Sequence, residues 1–131
     1  MNNVLSMETL NAKNSPWDKH EEDGYSFYMK TLSVDTETGM TVFEIFYPAG
    51  YMTTWHIHPC AHGIYVLEGI LRTHEGLYEP GSYVWFPEGN LAEHGATEVM
   101  PVRIVFMTNK LFDIEYRDNP MRYHLNKKNI S

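Results

Sequence analysis

Short apolar and aromatic runs alternate along the chain with clusters of Gly, Pro, Asn, Asp and Ser. Residues 25–34 read as a strand rich in aromatic residues and Thr, with imperfect alternation. Asp35-Thr36-Glu37-Thr38-Gly39 is a turn cluster, and residues 40–47 (MTVFEIFY) form a cleaner strand, so the two predict a hairpin. Pro48-Ala49-Gly50 ends that strand. Residues 52–58 form the next extended run, with Met52, Thr54, His56 and His58 on one face and Trp55 and Ile57 on the other. Residues 64–67 and 71–74 predict a pair of short strands joined at Glu68-Gly69, and 82–86 (SYVWF) follow the turn Tyr78-Glu79-Pro80-Gly81. Pro87-Glu88-Gly89-Asn90 breaks the chain again. Residues 102–108 (VRIVFMT) form a strong strand and 112–116 a shorter one. No stretch keeps a helical period, and strands recur at roughly 8–12 residues, which predicts an all-β sandwich or barrel.

The ends differ from the middle. Residues 1–16 are polar and close at Pro16, and they read as an N-terminal arm, either loose or covering a sheet edge on this chain or a partner. Residues 117–131 read as a polar C-terminal tail or irregular cover. With 131 residues, the chain 1–131 is expected to be a single domain.

Composition narrows the function classes. A net charge of −7 argues against a sequence-independent nucleic-acid binder, which needs a basic face. One cysteine, Cys60, excludes a disulfide within the chain and points to a reducing compartment. The start has neither a basic region nor a long apolar run, and no stretch approaches the roughly 18 apolar residues of a membrane span. A cytoplasmic protein with no membrane partner is the expectation.

The chemistry gathers between Gly50 and Gly69. His56 and His58 are two residues apart, so on a strand their rings leave the same face, and His62 follows past Pro59. His94, in PEGNLAEHGATE, completes the set from a neighbouring strand. Neutral imidazole is the commonest protein metal ligand, and converging rings suit a first-row divalent ion.

The spacing resembles the first motif of the cupin superfamily: Gly50, five residues, His56, one residue, His58, three residues, a ligand position, six residues, Gly69. The second motif is similar with less fidelity. Gly81, five residues, Pro87, one residue, Gly89 match its opening, and His94 stands at its metal-binding histidine, two residues later than usual. The resemblance spans about a third of the chain and implies a double-stranded β-helix, or jelly-roll barrel. The usual Glu of the first motif is His62 here. Either four histidines bind the metal, or His62 orients the other three.

Three or four neutral imidazoles leave a divalent ion its full charge, a strong Lewis acid toward an enolisable carbonyl. Cupins with such sites include iron dioxygenases of the acetylacetone-cleaving type, in which three histidines at the positions of His56, His58 and His94 hold the metal. The resemblance therefore implies one divalent ion per chain and a small-molecule substrate, with iron for a dioxygenase. Zinc, nickel or manganese would suit a non-redox lyase, isomerase or cyclase, or a metal-containing sensor module.

Other residues have two readings each. Glu88, near His94 in sequence, is an acid/base candidate or a solvated loop charge. Cys60 is a sulfur ligand or a buried inert thiol. Tyr65, Tyr83 and Trp85 line a pocket or pack the core, and Arg103 pairs with a carboxylate or holds a substrate anion. His20, His74 and His124 read as surface histidines. If the arm or residues 112–116 add to a partner's sheet, the protein is a homodimer.

Overall fold

The computed structural model describes residues 6–22, 24–112 and the backbone of 115–116. A 3-10 turn at Ala12–Asn14 precedes eleven strands: β1 (Asp18–Glu22), β2 (Tyr25–Val34), β3 (Thr41–Tyr47), β4 (His56–Ile57), β5 (His62–Glu68), β6 (Leu71–Thr73), β7 (Gly76–Tyr78), β8 (Tyr83–Phe86), β9 (His94–Ala96), β10 (Val102–Thr108) and β11 (Glu115–Tyr116). They form a six-stranded sheet in the order β1-β2-β3-β10-β5-β8, a three-stranded sheet β7-β6-β9, and the pair β11-β4. All pairings are antiparallel, and the architecture is an all-β jelly roll. Among the described residues, no helix is long and apolar enough to cross a membrane.

Alternation decides which face is inside. In β10, Val102, Ile104, Phe106 and Thr108 are buried while Arg103, Val105 and Met107 are half-buried on the other face, the period-2 signature of a strand with one dry side. These residues meet Ile45 and Tyr47 of β3, Ile64 and Val66 of β5, and Leu71, Phe86 and Ala96 in one core. The core fills one part of the barrel. The remainder is lined by the histidines and by Phe27, Phe43 and Phe112.

The outer face of the large sheet is closed from the N-terminal side. The Lys30 ammonium donates to the Ala12 carbonyl at 2.6 Å and sits 4.4 Å from the centre of the Trp17 ring, which also meets Phe46. A buried lysine is thus given a hydrogen bond and an aromatic face in place of water. Residues 12–17 therefore cover the outer face of this chain's own sheet, and 18–22 continue as its edge strand β1. Arg103 takes the carboxylate reading: it donates to Glu44 at 2.7 Å, with Glu68 at 3.8 Å.

Two expectations change. The hairpin over residues 25–47 forms as β2-β3, but Glu68-Gly69 is not a hairpin turn: β5 pairs with β10 and β8, whereas β6 belongs to the other sheet. Gly69, at φ 85°, turns the chain between sheets where a Cβ would run into the Pro101 carbonyl and Val102. Second, 52–58 is not one continuous strand. Thr53 and His56 are both buried, three residues apart, so the alternation slips at Thr54-Trp55 and only single bridges and the short β4 remain. Residues 113–114 and 117–131 lie outside the described residues, so of the predicted strand 112–116 only β11 is described, and the tail expectation falls outside.

Gly69→Ala is expected to destabilise the protein by about 1–3 kcal/mol in urea unfolding, combining backbone strain with the collision. Gly24, at φ 82° with open space around it, supplies the control. Gly24→Ala should cost only the strain, about 1 kcal/mol, and equal losses would show that the collision at Gly69 relaxes freely.

Candidate metal centre

Main-chain hydrogen bonds bring the two histidine segments together. Met52 bridges Gly95 and His56 bridges Ala92, the latter through reciprocal N–H to carbonyl bonds of 3.0 Å. The Thr53 N–H donates to the His94 carbonyl, and the His94 N–H donates to the Thr53 hydroxyl, each at 3.0 Å. A Cβ on Gly95 would collide with the Tyr51 carbonyl, so glycine permits this approach. His56, His58 and His94 are thereby aimed at one point, their candidate ligand atoms within 4.8 Å of one another. All three are buried, at 1%, 3% and 2% exposure.

Two of the rings are held by a neighbour through Nδ1. His56 Nδ1 lies 2.8 Å from the Thr54 carbonyl, an acceptor only, so Nδ1 carries the proton and donates, leaving the Nε2 lone pair facing inward. His94 Nδ1 lies 3.1 Å from the Tyr47 hydroxyl, while its buried Nε2 has no hydrogen-bond partner. Tyr47 is itself fixed by stacking on Tyr51 at 4.8 Å. The Thr54 hydroxyl donates to Glu22 at 2.5 Å, which ties the carbonyl-bearing residue to β1. Such supports orient metal-bound imidazoles in known sites.

Burial keeps the His56 and His94 rings neutral. It is the largest cause holding His94 well below the usual histidine range, with His56, His62, His58 and His74 adding to it. His56 is lowered by burial, offset in part by the Thr54 carbonyl and the Glu22 carboxylate. Neutral imidazole is the ligand form, so His56 and His94 are ready for a cation at neutral pH without first losing protons. The buried Nε2 of His94, without a hydrogen-bond partner on a ring that resists protonation and beside two further imidazoles, is the arrangement a divalent ion fits.

His62 stands beside the triad, outside the converging set. Its ring is sandwiched between Phe86 and Phe106, each centroid 4.6 Å away, and lies 4.6 Å from His58 and 6.2 Å from His94. Both ring nitrogens are buried without hydrogen-bond partners. Burial first, then His58 and His56, pull its pKa to about 3.

Above the triad opens a cavity of about 390 Å³, walled by Phe27, Met29, Phe43, Ile45, Phe106 and Phe112, with Asp18, His20 and Glu22 of β1 along one side. Glu88 does not line it: its carboxylate is at the surface, 2.7 Å from the Lys110 ammonium. Tyr65, Tyr83 and Trp85 are exposed and do not line it either, and Cys60 is fully buried. Sequence reasoning missed Glu22, Thr54 and Tyr47 as supports, and His20 as a cavity residue rather than a plain surface histidine. The alternation of Asp18, His20 and Glu22 was the available signal.

The burial of these rings sets a pH dependence for the metal-free protein. A folded-state pKa below the unfolded 6.5 means that, as pH falls past 6.5, the unfolded chain takes up a proton that the folded chain refuses. Stability is full above pH 6.5 and is lost as pH drops toward about 3. Urea midpoints across that range should fall, and His62→Phe should flatten the slope. A midpoint unchanged down to the acid end would show that the folded rings accept protons.

Residues 6–111 match the family described as the ChrR cupin-like domain. Among curated proteins, no sequence matches the chain. Among solved structures, an RmlC-like cupin protein from Ralstonia eutropha superposes with TM-score 0.72 at 18% identity, covering 97% of this chain and 90% of that one. An acetylacetone dioxygenase from Acinetobacter johnsonii gives 0.72 at 17% identity, over 91% and 83%. The polyketide cyclase RemF from Streptomyces resistomycificus gives 0.69 at 16%, over 92% and 94%. At these identities the likeness is one of fold. With four-fifths of its length matched and the two histidine segments joined inside a jelly roll, the chain belongs to the ChrR cupin-like domain family.

Proposed function

We propose that the chain is a metal-dependent oxygenase acting on a small enolisable carbonyl compound. The observation that carries this reading is three buried histidines converging beneath a ring-walled cavity, with no carboxylate among them. The fold shared with an acetylacetone dioxygenase supports it. A bound divalent ion would supply Lewis acidity toward a carbonyl oxygen and, if iron, access to dioxygen.

The chain's own residues would do the rest. His56, His58 and His94 would hold the ion through imidazole nitrogens, which carry no negative charge and so leave its charge undiminished for an enolate. His62 is placed in this reading as a fourth ligand or a near neighbour, because a central cation would give a partner to one of its two unpartnered nitrogens, each costing about 1–3 kcal/mol when buried. The Thr54 carbonyl and the Tyr47 hydroxyl hold two ring orientations. Phe27, Phe43, Phe106 and Phe112 exclude water, which strengthens every charge interaction inside. A cavity of this size accommodates a compact organic molecule.

The fold shared with a polyketide cyclase favours a second reading, in which the same cage carries a non-redox ion and isomerises or cyclises a carbonyl compound.

Protein purified without added metal should contain near-stoichiometric iron and consume oxygen with a β-diketone. His56→Ala should abolish both, and Tyr47→Phe should weaken metal affinity by roughly tenfold through loss of the His94 support. Stoichiometric zinc or nickel with no oxygen uptake favours the cyclase-like reading. Metal retained undiminished when His56, His58 and His94 are each replaced would sink the centre itself.

A further inference from the structure

The two edges of the large sheet are built differently. The edge strand β1 reads Asp18-Lys19-His20-Glu21-Glu22, a run of charges that discourages a further strand from pairing there. The opposite edge, β8, reads Tyr83-Val84-Trp85-Phe86 and carries no charge. Just past its end, Glu88 is already paired with Lys110. Tyr83 and Trp85 are exposed on the outer face, and so is Tyr65, the residue of β5 opposite Tyr83. A Cβ on Gly63 would run into the Tyr83 ring, so glycine lets that ring lie along the sheet.

The main chain of β8 is used on one side. The Val66 N–H donates to the Ser82 carbonyl at 3.0 Å, in the register that also sets Val84 opposite Ile64 and Phe86 opposite His62. Main-chain groups alternate in direction along an antiparallel strand, so Ser82, Val84 and Phe86 turn theirs toward β5 while Tyr83 and Trp85 turn theirs outward. Among the described residues, no strand pairs with that outer side. The segments that sequence reasoning offered to a partner are engaged within this chain. Residues 12–17 lie on its own sheet through Lys30 and Phe46, and β11 pairs with β4.

We infer that β8 is an interface between two copies of this chain, paired antiparallel across a two-fold axis at Val84 so that their large sheets run on as one. The occupant is a second copy because the strand is complementary to itself. Inner face must meet inner face and outward main-chain groups must meet each other, which sets Tyr83 of each copy opposite Trp85 of the other, with Val84 opposite itself. Moving the axis to Trp85 would set Tyr83 opposite Pro87, which has no N–H to give. Moving it to Tyr83 would set Trp85 opposite Gly81, whose φ of 93° is not that of a strand. Charge agrees: copies that each carry a net −7 associate best where neither presents a charge, and β8 is such an edge. The pairing takes up the outward main-chain groups and lays Tyr83 and Trp85 side by side across the axis, a cross-strand ring pair of a kind that favours sheets. Tyrosine and tryptophan are also the ring types that concentrate in protein interfaces.

Sedimentation equilibrium of the full chain across a concentration series should give a mass that rises toward twice that of one chain. Trp85→Lys puts a charge at an exposed position of the edge and should weaken the dimer by roughly tenfold or more, with the far-ultraviolet circular dichroism unchanged. Val84→Cys reads the register. Residues opposite each other in a non-hydrogen-bonded pair bring their Cα atoms to about 4.5 Å, within the span of a disulfide. Mild oxidation should therefore link two Val84→Cys copies far faster than two copies of Leu77→Cys, an exposed position on β7 in the other sheet. A chain that stays monomeric throughout the series overturns the inference, as does a dimer whose strength Trp85→Lys leaves untouched. A dimer weakened by Trp85→Lys in which Val84→Cys links no faster than Leu77→Cys overturns the two-fold register.

Discussion

The structure depends on lone pairs turned toward one another in a dry interior. Imidazole nitrogens buried without partners cost free energy, and clustering them adds mutual repulsion for any proton that arrives. A small β domain that accepts this cost needs compensation from the surrounding strands. It comes from main-chain bonds between 52–56 and 92–95, from the Thr54 carbonyl under His56, and from phenylalanine rings on both faces of His62. The barrel is thus two regions under one roof, one a conventional apolar core and the other a polar cluster with phenylalanine walls.

What was legible in the sequence follows from range. Strand-forming runs are local, so β2, β3 and β10 could be read as strands from their apolar and aromatic content, and the His56/His58 pair from its separation of two. The placement of His94 against them came from a motif. The partner of β5 was not legible, because a short apolar run followed by Glu68-Gly69 suits a hairpin as well as a crossover. Only the close approach of Pro101 to Gly69 shows which applies. The slip at Thr54-Trp55 was hidden for a related reason. Both phases keep His56 and His58 together, and only Thr53 reveals that the upstream residues have changed face.

The supports of the site were the least legible part. Glu22 and Thr54 are thirty-two residues apart in sequence, and Tyr47 and His94 forty-seven. Polar residues that hold a ring in place have no periodic signature of their own, since their partners are chosen by the fold. Glu88 shows the converse: adjacency in sequence to a site histidine put it under suspicion, yet it reaches outward to Lys110.

The contact between Lys30 and the segment before β1 bears on where this domain begins as a physical unit. The ammonium is buried, held by the Ala12 carbonyl and the Trp17 ring. Cutting the chain at the first strand would strip both and leave a charge facing an uncovered sheet, so a boundary drawn by strands alone would fall too late. The family match begins at residue 6, upstream of this contact. For anyone grafting the fold into a chimera, the graft has to carry the ribbon ahead of its first strand.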